Sequence, residues 1–386
     1  MNSTRRSRNL RRARSAPAFV LVFLASAACA QGITNTQVTI GQTVALSGGV
    51  GEHGQALTLG AQAYFDKVNG SGGVHGRKMV LVTLDDAGDS KRAQENARKL
   101  ILEQRVVALF SGAEGGPCVA VTTVAGELRV PVVGCAGGSP ELREPFNPFS
   151  FPIRAAHLDE FEKLVEYAAV FGRKRIGFVH SDSETGRKHL ANVRRLADRY
   201  GVVVALALPL PSGKEAFDPA KISAEITKAG VEAVLNHGSY SQYAEIIRAA
   251  KKQGSPTQFL AVNSGAQQMV RLLGGDAAGL IFTQVVPFPW FDATPIVREY
   301  RDALKIHAPQ TEPSFSSLEG FINAKVLVEA LRRAGRKLTR EGLITALESM
   351  RGYDVGGLTV SYAAGSHQGS RFVDVVVVGS NGRFVR

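Results

Sequence analysis

The stretch that most constrains the fold runs from Val106 to Leu142 and combines short apolar runs with two glycine-rich loops. The unbroken apolar run Val106–Phe110 predicts a strand buried on both faces of a parallel sheet. A predicted helix reaching Arg129 then leads to a second buried run at Val130–Gly134. The order strand, helix, strand predicts a parallel unit whose two loops lie at the carboxyl ends of neighbouring strands, where open α/β sheets bind ligands.

The two loops of this stretch are rich in glycine: Gly112, Gly115 and Gly116 in the first, Gly137 and Gly138 in the second. Backbone N–H groups left uncovered at a helix start suit a carboxylate or another anion. Glycines are also typical of tight turns that bind nothing. Because two such loops occur in adjacent units, we favour a binding site.

Charge does not indicate a nucleic-acid partner. The formal net charge is +12, but six arginines fall within the first seventeen residues, which contain no acidic residue. The remaining positive charge is spread along the chain without a basic run, so nucleic-acid binding is not expected. The length of 386 residues and the 44% hydrophobic content suit about two globular domains.

Residues 1–30 have the pattern of a secretory signal peptide. Arginines precede an apolar segment from Ala16 to Ala28 that is too short to span a membrane. The small residues around Cys29 predict cleavage between Ala30 and Gln31. We favour the general secretion route over the twin-arginine route and over a lipoprotein signal.

Export leaves two cysteines, Cys118 and Cys135, in an oxidising compartment. The predicted layout places both at the same edge of the sheet, so a disulfide bond is geometrically plausible. Two buried free thiols are the alternative. A metal site is not expected, because two cysteines without a nearby histidine pair do not complete a tetrahedral ligand set.

Strand and helix patterns alternate along most of the chain and are interrupted by two proline-rich segments. The first interruption lies between Pro140 and Arg154, and the second spans Val285–Trp290. We therefore predict an α/β fold of two doubly wound parallel-sheet lobes joined by a multi-strand hinge, with a cleft between them. Residues 31–154 and 287–374 form lobe 1, and residues 155–286 and 375–386 form lobe 2.

The opening of the exported chain, IGQTVALSGGVGEHGQALTLGAQAYFDKVNGSGGVHGRKMVLVTLDDAGD, resembles a known family. It is similar to the extracytoplasmic solute-binding proteins of the leucine/isoleucine/valine-binding type, the type I periplasmic binding proteins. The shared features are a Ser-Gly loop, a helix ending in Asn-x-x-Gly-Gly and a strand ending in Asp-Asp. Similarity continues in order through six later segments: Pro131–Val133, Ser139–Leu142, Ile176–His180, Gln253–Leu260, Pro295–Tyr300 and Gly320–Leu331.

The resemblance implies a periplasmic protein that closes its two lobes around a small-molecule ligand. It implies delivery to the membrane permease subunits of an ABC importer and their associated ATPases. It also implies a monomer that needs no cofactor. A ligand-sensing receptor of the same fold, acting on a signalling partner, is an alternative that the sequence separates poorly from an importer component.

The resemblance also assigns ligand contacts in the first lobe. In the amino-acid binders, loops there give the ligand carboxylate a serine hydroxyl, backbone amides and a threonine hydroxyl. The matching positions here are Gly116 for the serine, Ala136 and Gly137 for the amides, and Gly138 for the threonine. The amides remain, but both hydroxyls are absent.

The resemblance implies five further contacts. His53 stands where the family has an aromatic residue, and four other positions lie around the second lobe and the hinge: Thr185, Tyr240, Ser264 and Phe315. Ser264 matches the acid that pairs with the ligand ammonium, and it carries no charge.

A buried ammonium without an acidic partner is strongly disfavoured. We therefore expect a small carboxylate or amide, including an aromatic one, rather than a plain α-amino acid bound in the usual pose, unless Glu114 or Glu319 substitutes. Solvated loop residues are the alternative interpretation of His53 and Glu114.

Enzyme chemistry is not expected from this sequence. The glycine pattern Gly49–Gly54 resembles a dinucleotide loop, but the acids Asp85 and Asp86 follow it later than that motif requires. No G-x-S-x-G elbow is present. His180, Ser181 and Asp182 are sequential neighbours that cannot readily form a proton relay. An exported enzyme is the weakest of the three function classes.

Overall fold

The computed structural model describes residues 32–110, 112–211 and 217–386, so the predicted signal peptide lies outside the described residues. The strands are β1 Gln37–Val44, β2 Lys78–Asp85, β3 Leu109–Phe110, β4 Val132–Val133, β5 Ser150–Phe151, β6 Arg175–Ser181, β7 Val203–Leu210, β8 Ala233–His237, β9 Gln258–Ala261, β10 Ile281–Gln284, β11 Tyr353–Asp354, β12 Thr359–Ala363, β13 Ser366–Gly369, β14 Asp374–Val378 and β15 Phe384–Val385. The helices are α1 Gly51–Gly70, α2 Ser90–Leu102, α3 Gly115–Leu128, α4 His157–Val170, α5 Glu184–Tyr200, α6 Pro219–Lys228, α7 Tyr240–Lys252, α8 Ala266–Leu273, α9 Pro295–His307, α10 Phe315–Ala334 and α11 Arg340–Glu348.

Two mainly parallel sheets form the two lobes. The first has the order β2-β1-β3-β4-β5 and is parallel throughout. The second has the order β15-β14-β10-β9-β8-β6-β7, with β14 and β15 antiparallel at one edge. A small antiparallel sheet, β11-β12-β13, completes the structure. The predicted α/β fold of two parallel-sheet lobes is confirmed.

The chain passes between the two sheets three times. It leaves the first sheet after β5, leaves the second after β10, and enters the second again at β14. Between the last two passages, α9 and α10 pack against α1 on the first lobe. The hinge therefore contains the segments that follow β5 and β10 and the one that precedes β14.

Helices α1 and α10 cross so closely that glycine is required at the contact. A Cβ atom on Gly60 would lie 1.7 Å from the carbonyl oxygen of Ser317, and one on Gly320 would lie 1.9 Å from that of Leu57. The crossing fixes the start of α10, which carries residues of the candidate site, against the first lobe.

The predicted disulfide bond is present between Cys118 and Cys135, whose Cα atoms are 5.9 Å apart. Cys118 lies in the first turns of α3, and Cys135 follows β4. The bond therefore ties together the two glycine loops singled out in the sequence. Within the described residues, no helix is long and apolar enough to cross a membrane.

Two elements of the second lobe were not predicted. The segment between Val262 and Val285 contains helix α8 and strand β10. Both are short, and the strand IFTQ runs directly into the proline-rich text that we assigned to the hinge. Strands β3 and β4 are also shorter than their apolar runs, because only two residues of each pair with a neighbour.

Candidate functional site

The two glycine loops of the first lobe pack against each other. A Cβ atom on Gly137 would lie 3.2 Å from the Cα atom of Gly115. The backbone N–H of Ala136 donates to the carbonyl oxygen of Gly112 at 2.9 Å. The Ala136 amide, which the resemblance assigned to the ligand, is therefore already used within the protein. Gly116 is exposed and faces Ser90 at the start of α2.

A histidine fills the space left at Gly138. A Cβ atom on Gly138 would lie 2.6 Å from Nδ1 of His157, and the backbone N–H of His157 donates to the Gly138 carbonyl oxygen at 2.8 Å. The space beside Gly138, where the resemblance implies a threonine hydroxyl, is therefore occupied by an imidazole from α4. Burial lowers the pKa of His157, which keeps the ring neutral at neutral pH.

A buried ion pair lies at the first hinge segment. Arg154 donates to Glu160 at 2.5 Å and to the Asn263 side-chain oxygen at 2.8 Å. The second carboxylate oxygen of Glu160 accepts from the Thr283 hydroxyl at 2.6 Å. Burial alone would raise the pKa of Glu160, but the Arg154 guanidinium and the His157 ring overcome it and lower the pKa to about 2. Arg154 is thus a buried cation whose charge is paired with that of Glu160.

A small cavity of about 30 Å³ lies beside this ion pair and draws its walls from both lobes. The first lobe contributes His53 and the start of α10, and the second lobe contributes the segments after β9 and at β10. The polar residues of its wall are His53, Asn263, Gln267, Gln268, Gln284, Ser316 and Glu319. A cavity of this size holds about two water molecules or one small polar group.

His53 is a neutral member of this wall. Its Nδ1 atom lies 2.9 Å from the hydroxyl of Ser316. Burial, reinforced by the nearby positive charge of Arg154, lowers the pKa of His53 to about 4, although a hydrogen bond to the backbone of Ala113 opposes the shift. The ring is therefore an uncharged hydrogen-bonding group at neutral pH.

Two carboxyl groups at the cleft form no ion pair with any residue that the structure describes. Glu319, on α10, is 3% exposed, and its Oε1 atom has no hydrogen-bond partner among the described residues. Burial raises its pKa. Glu114 directly precedes α3 without capping it through its side chain, and burial raises its pKa to about 7 while Arg154 opposes the shift. The cleft therefore contains more acidic groups than its fixed cation neutralises.

The other predicted site residues lie around the cavity or away from it. Phe315 lines the cavity and packs edge-on against Trp290, with ring centroids 5.2 Å apart. Tyr240 covers Gly265, where a Cβ atom would lie 2.8 Å from the tyrosine ring. The Thr185 hydroxyl donates to Glu141 of the other lobe at 2.9 Å.

Ser264 is exposed and does not line the cavity, whereas its neighbours Asn263 and Gly265 do. Sequence reasoning missed Arg154, His157 and Glu160. Their only signal in the sequence was their position at the end of the first proline-rich segment or shortly after it.

Residues 37–383 match the sequence profile of the family described as "Periplasmic binding protein". The chain belongs to this family. A Leu/Ile/Val-binding protein homolog from Brucella abortus is 25% identical over 333 residues, which cover 81% of this chain and 82% of the relative. The crystal structure of a substrate-binding periplasmic protein from Ralstonia solanacearum has a TM-score of 0.80 at 29% identity. The superposition covers 90% of this chain and 99% of the Ralstonia chain.

A fatty acid ABC transporter substrate-binding protein from Thermomonospora curvata shares the fold, with a TM-score of 0.79 at 21% identity, covering 92% of this chain and 93% of its own. The protein is accordingly a binding protein of this family rather than an enzyme. The relatives do not agree on the solute, because their names include both branched-chain amino acids and fatty acids.

Proposed function

We propose that this protein captures a small polar organic solute between its lobes by hinge closure and delivers it to ABC permease subunits in the periplasm. The observation that carries the proposal is the cavity beside Arg154, because both lobes supply its walls. A ligand shifts the equilibrium between the open and closed forms only if it binds the closed form more tightly than the open one. A site divided between two lobes meets that condition, since opening separates its halves.

Contacts across the cleft support closure as the working motion. The Thr185 hydroxyl bonds to Glu141, and Arg271 forms an ion pair with Glu52. We assign residues 31–154 and 287–374 to one moving body, and residues 155–286 and 375–386 to the other. Exposed ion pairs are each worth at most about 1 kcal/mol, so these contacts favour closure without locking it.

We propose a solute that is amino-acid-like, or a small carboxylate or amide. The names of the relatives support this class, since branched-chain amino acids and fatty acids both carry a carboxylate. His53 and Phe315 line the cavity, and Tyr240 lies at its edge. The loop positions at Gly137 and Gly138 would approach the ligand through their backbone, because neither has a side chain.

The proposal is tested by native mass spectrometry of gently purified protein from the exported fraction, followed by a thermal-shift screen of amino acids, aromatic acids, dicarboxylates and amides. We expect a co-purified small molecule or a clear rise in Tm with one compound class. Tyr240→Ala should bind that compound more weakly while keeping its ligand-free Tm. No bound molecule and no shift with any class would contradict the proposal.

A further inference from the structure

One polar group on the cavity wall is a buried carboxyl group whose Oε1 atom has no hydrogen-bond partner among the described residues. Glu319 lies on α10, is 3% exposed, and forms no ion pair within the described part of the chain. The cation that acts on it electrostatically is Arg154, whose own hydrogen bonds go to Glu160 and Asn263. A buried carboxyl group costs free energy unless a donor or a cation compensates it.

The neighbouring hydroxyl also offers an acceptor to the cavity. The Nδ1 atom of His53 lies 2.9 Å from the Ser316 hydroxyl, and the tautomer of the ring decides which of the two groups donates. A hydroxyl oxygen has two lone pairs, so Ser316 keeps an acceptor for a ligand with either tautomer. Two acceptors, Ser316 and Glu319, thus face the same small space.

We propose that the bound solute presents an N–H donor group, a protonated amine or an amide NH₂, to Glu319 and Ser316 at the inner end of the cleft. This inference rests on the proposed function and names the chemistry at one end of the ligand. It also explains how the site works although Ser264 carries no charge. The carboxylate at this site comes from α10, on the first lobe, rather than from the position in the second lobe that the family resemblance indicated.

An ionised Glu319 disfavours the opposite orientation of a carboxylate ligand. A ligand carboxylate beside it would bring two anions together in a buried space, where repulsion is strong, whereas an ammonium group there would favour the ionised form of Glu319. The volume of about 30 Å³ suits a head group of one or two heavy atoms. The rest of the ligand must therefore extend from this point along the cleft.

The inference is tested with a probe small enough for the cavity, methylammonium chloride at about 50 mM, a concentration suited to the millimolar affinity of a two-atom ligand. Sodium acetate and sodium chloride at equal concentration are the comparison solutes. We expect methylammonium to raise the Tm of the wild-type protein by about 1 °C above sodium chloride and acetate to have no such effect. Glu319→Gln should abolish the rise, whereas the exposed control Glu95→Gln should keep it.

A second variant and a matched ligand series complete the test. Glu319→Asp keeps the charge and should retain part of the methylammonium effect, which protects the result if Glu319→Gln folds poorly. Isobutylamine and isobutyramide should bind more tightly than isobutyrate, which has a similar carbon skeleton without nitrogen. Tighter binding of acetate or isobutyrate, or an equal response of wild type and Glu319→Gln, would overturn the inference.

The two proposals fail in different ways. A nitrogen-free solute that binds both wild type and Glu319→Gln tightly would support the proposed function and refute the role of Glu319. A methylammonium effect that depends on Glu319, in a protein that carries no native solute and responds to no panel compound, would support the site and contradict the proposed function.

Discussion

Glu114→Gln should stabilise the protein at alkaline pH and leave its stability unchanged in acid. Burial raises the pKa of Glu114 to about 7 from an ordinary value of 4.5. Between these two values the folded protein keeps a proton that the unfolded chain has released. The free energy of unfolding of the wild type therefore falls as pH rises through this window, and the loss is complete above pH 7. A neutral glutamine resembles the protonated acid and removes the loss.

The size of the effect follows from the two pKa values. The difference between 4.5 and about 7 corresponds to about 3 kcal/mol, which partial solvent access to the side chain reduces to about 2 kcal/mol. With an unfolding entropy of about 2 cal/mol/K per residue, this free energy raises the Tm of a chain of this length by about 3 °C.

The assay is differential scanning calorimetry of both proteins without ligand at pH 4.5, 6 and 8. We expect equal Tm values at pH 4.5, an intermediate gain at pH 6 and a gain of about 3 °C at pH 8. Glu95→Gln, which removes an exposed carboxylate from α2, should show no such trend. A gain that is the same at every pH, or a lower Tm of Glu114→Gln at pH 8, would refute the reasoning.

Three further predictions concern the disulfide, the helix crossing and closure. Cys118→Ser opens a loop with a sequence separation of 17 and should lower the free energy of unfolding by about 3 kcal/mol, measured by urea denaturation. Gly320→Ala places a Cβ atom 1.9 Å from the Leu57 carbonyl oxygen and should cost about 3 kcal/mol in the same assay. Thr185→Val removes the hydrogen bond to Glu141 and should weaken ligand affinity about fivefold in calorimetric titration, with little change in Tm.

Each of these predictions has a matched comparison. Reducing the wild type with dithiothreitol should reproduce the Cys118→Ser loss, and reduction should not destabilise the variant further. Gly70 is the last residue of α1, the helix that α10 crosses, and a Cβ atom there meets open space, so Gly70→Ala should be nearly neutral. Thr123→Val removes an exposed hydroxyl that bonds only within α3 and should leave affinity unchanged. An affinity of Thr185→Val equal to that of the wild type would argue against closure through this contact.

The fold could be predicted because its signals are local. Alternating strand and helix patterns, two proline-rich interruptions and one cysteine pair predicted two parallel-sheet lobes and a disulfide bond, and both are present. The segment that contains α8 and β10 was missed because each element is too short to show a period. Pairing with β9 and β14 decides that β10 is a strand, and no local pattern carries that information.

The candidate site was less predictable because its partners are distant in sequence. His53 meets Ser316, and Arg154 meets Asn263, across separations of 263 and 109 residues. Matching positions to relatives found His53 and Phe315 on the cavity wall. Position matching compares single residues, so it does not show when a side chain from a neighbouring element fills the space beside a smaller residue.

Two positions lack the side-chain group that the family resemblance implies, and in each case a different residue of this chain supplies a polar group nearby. At Gly138, where the resemblance implies a threonine hydroxyl, His157 occupies the space with a ring that is neutral and bonded to Glu160 at 3.0 Å. At Ser264 the resemblance implies an acid that is absent, and among the described residues that line the cavity an unpaired acid is Glu319, on a helix held against the first lobe by α1. If Glu319 holds the nitrogen end of the solute, the first lobe supplies the charged contact before closure. The second lobe then adds neutral groups such as Gln284, so its contribution to affinity should depend little on salt concentration.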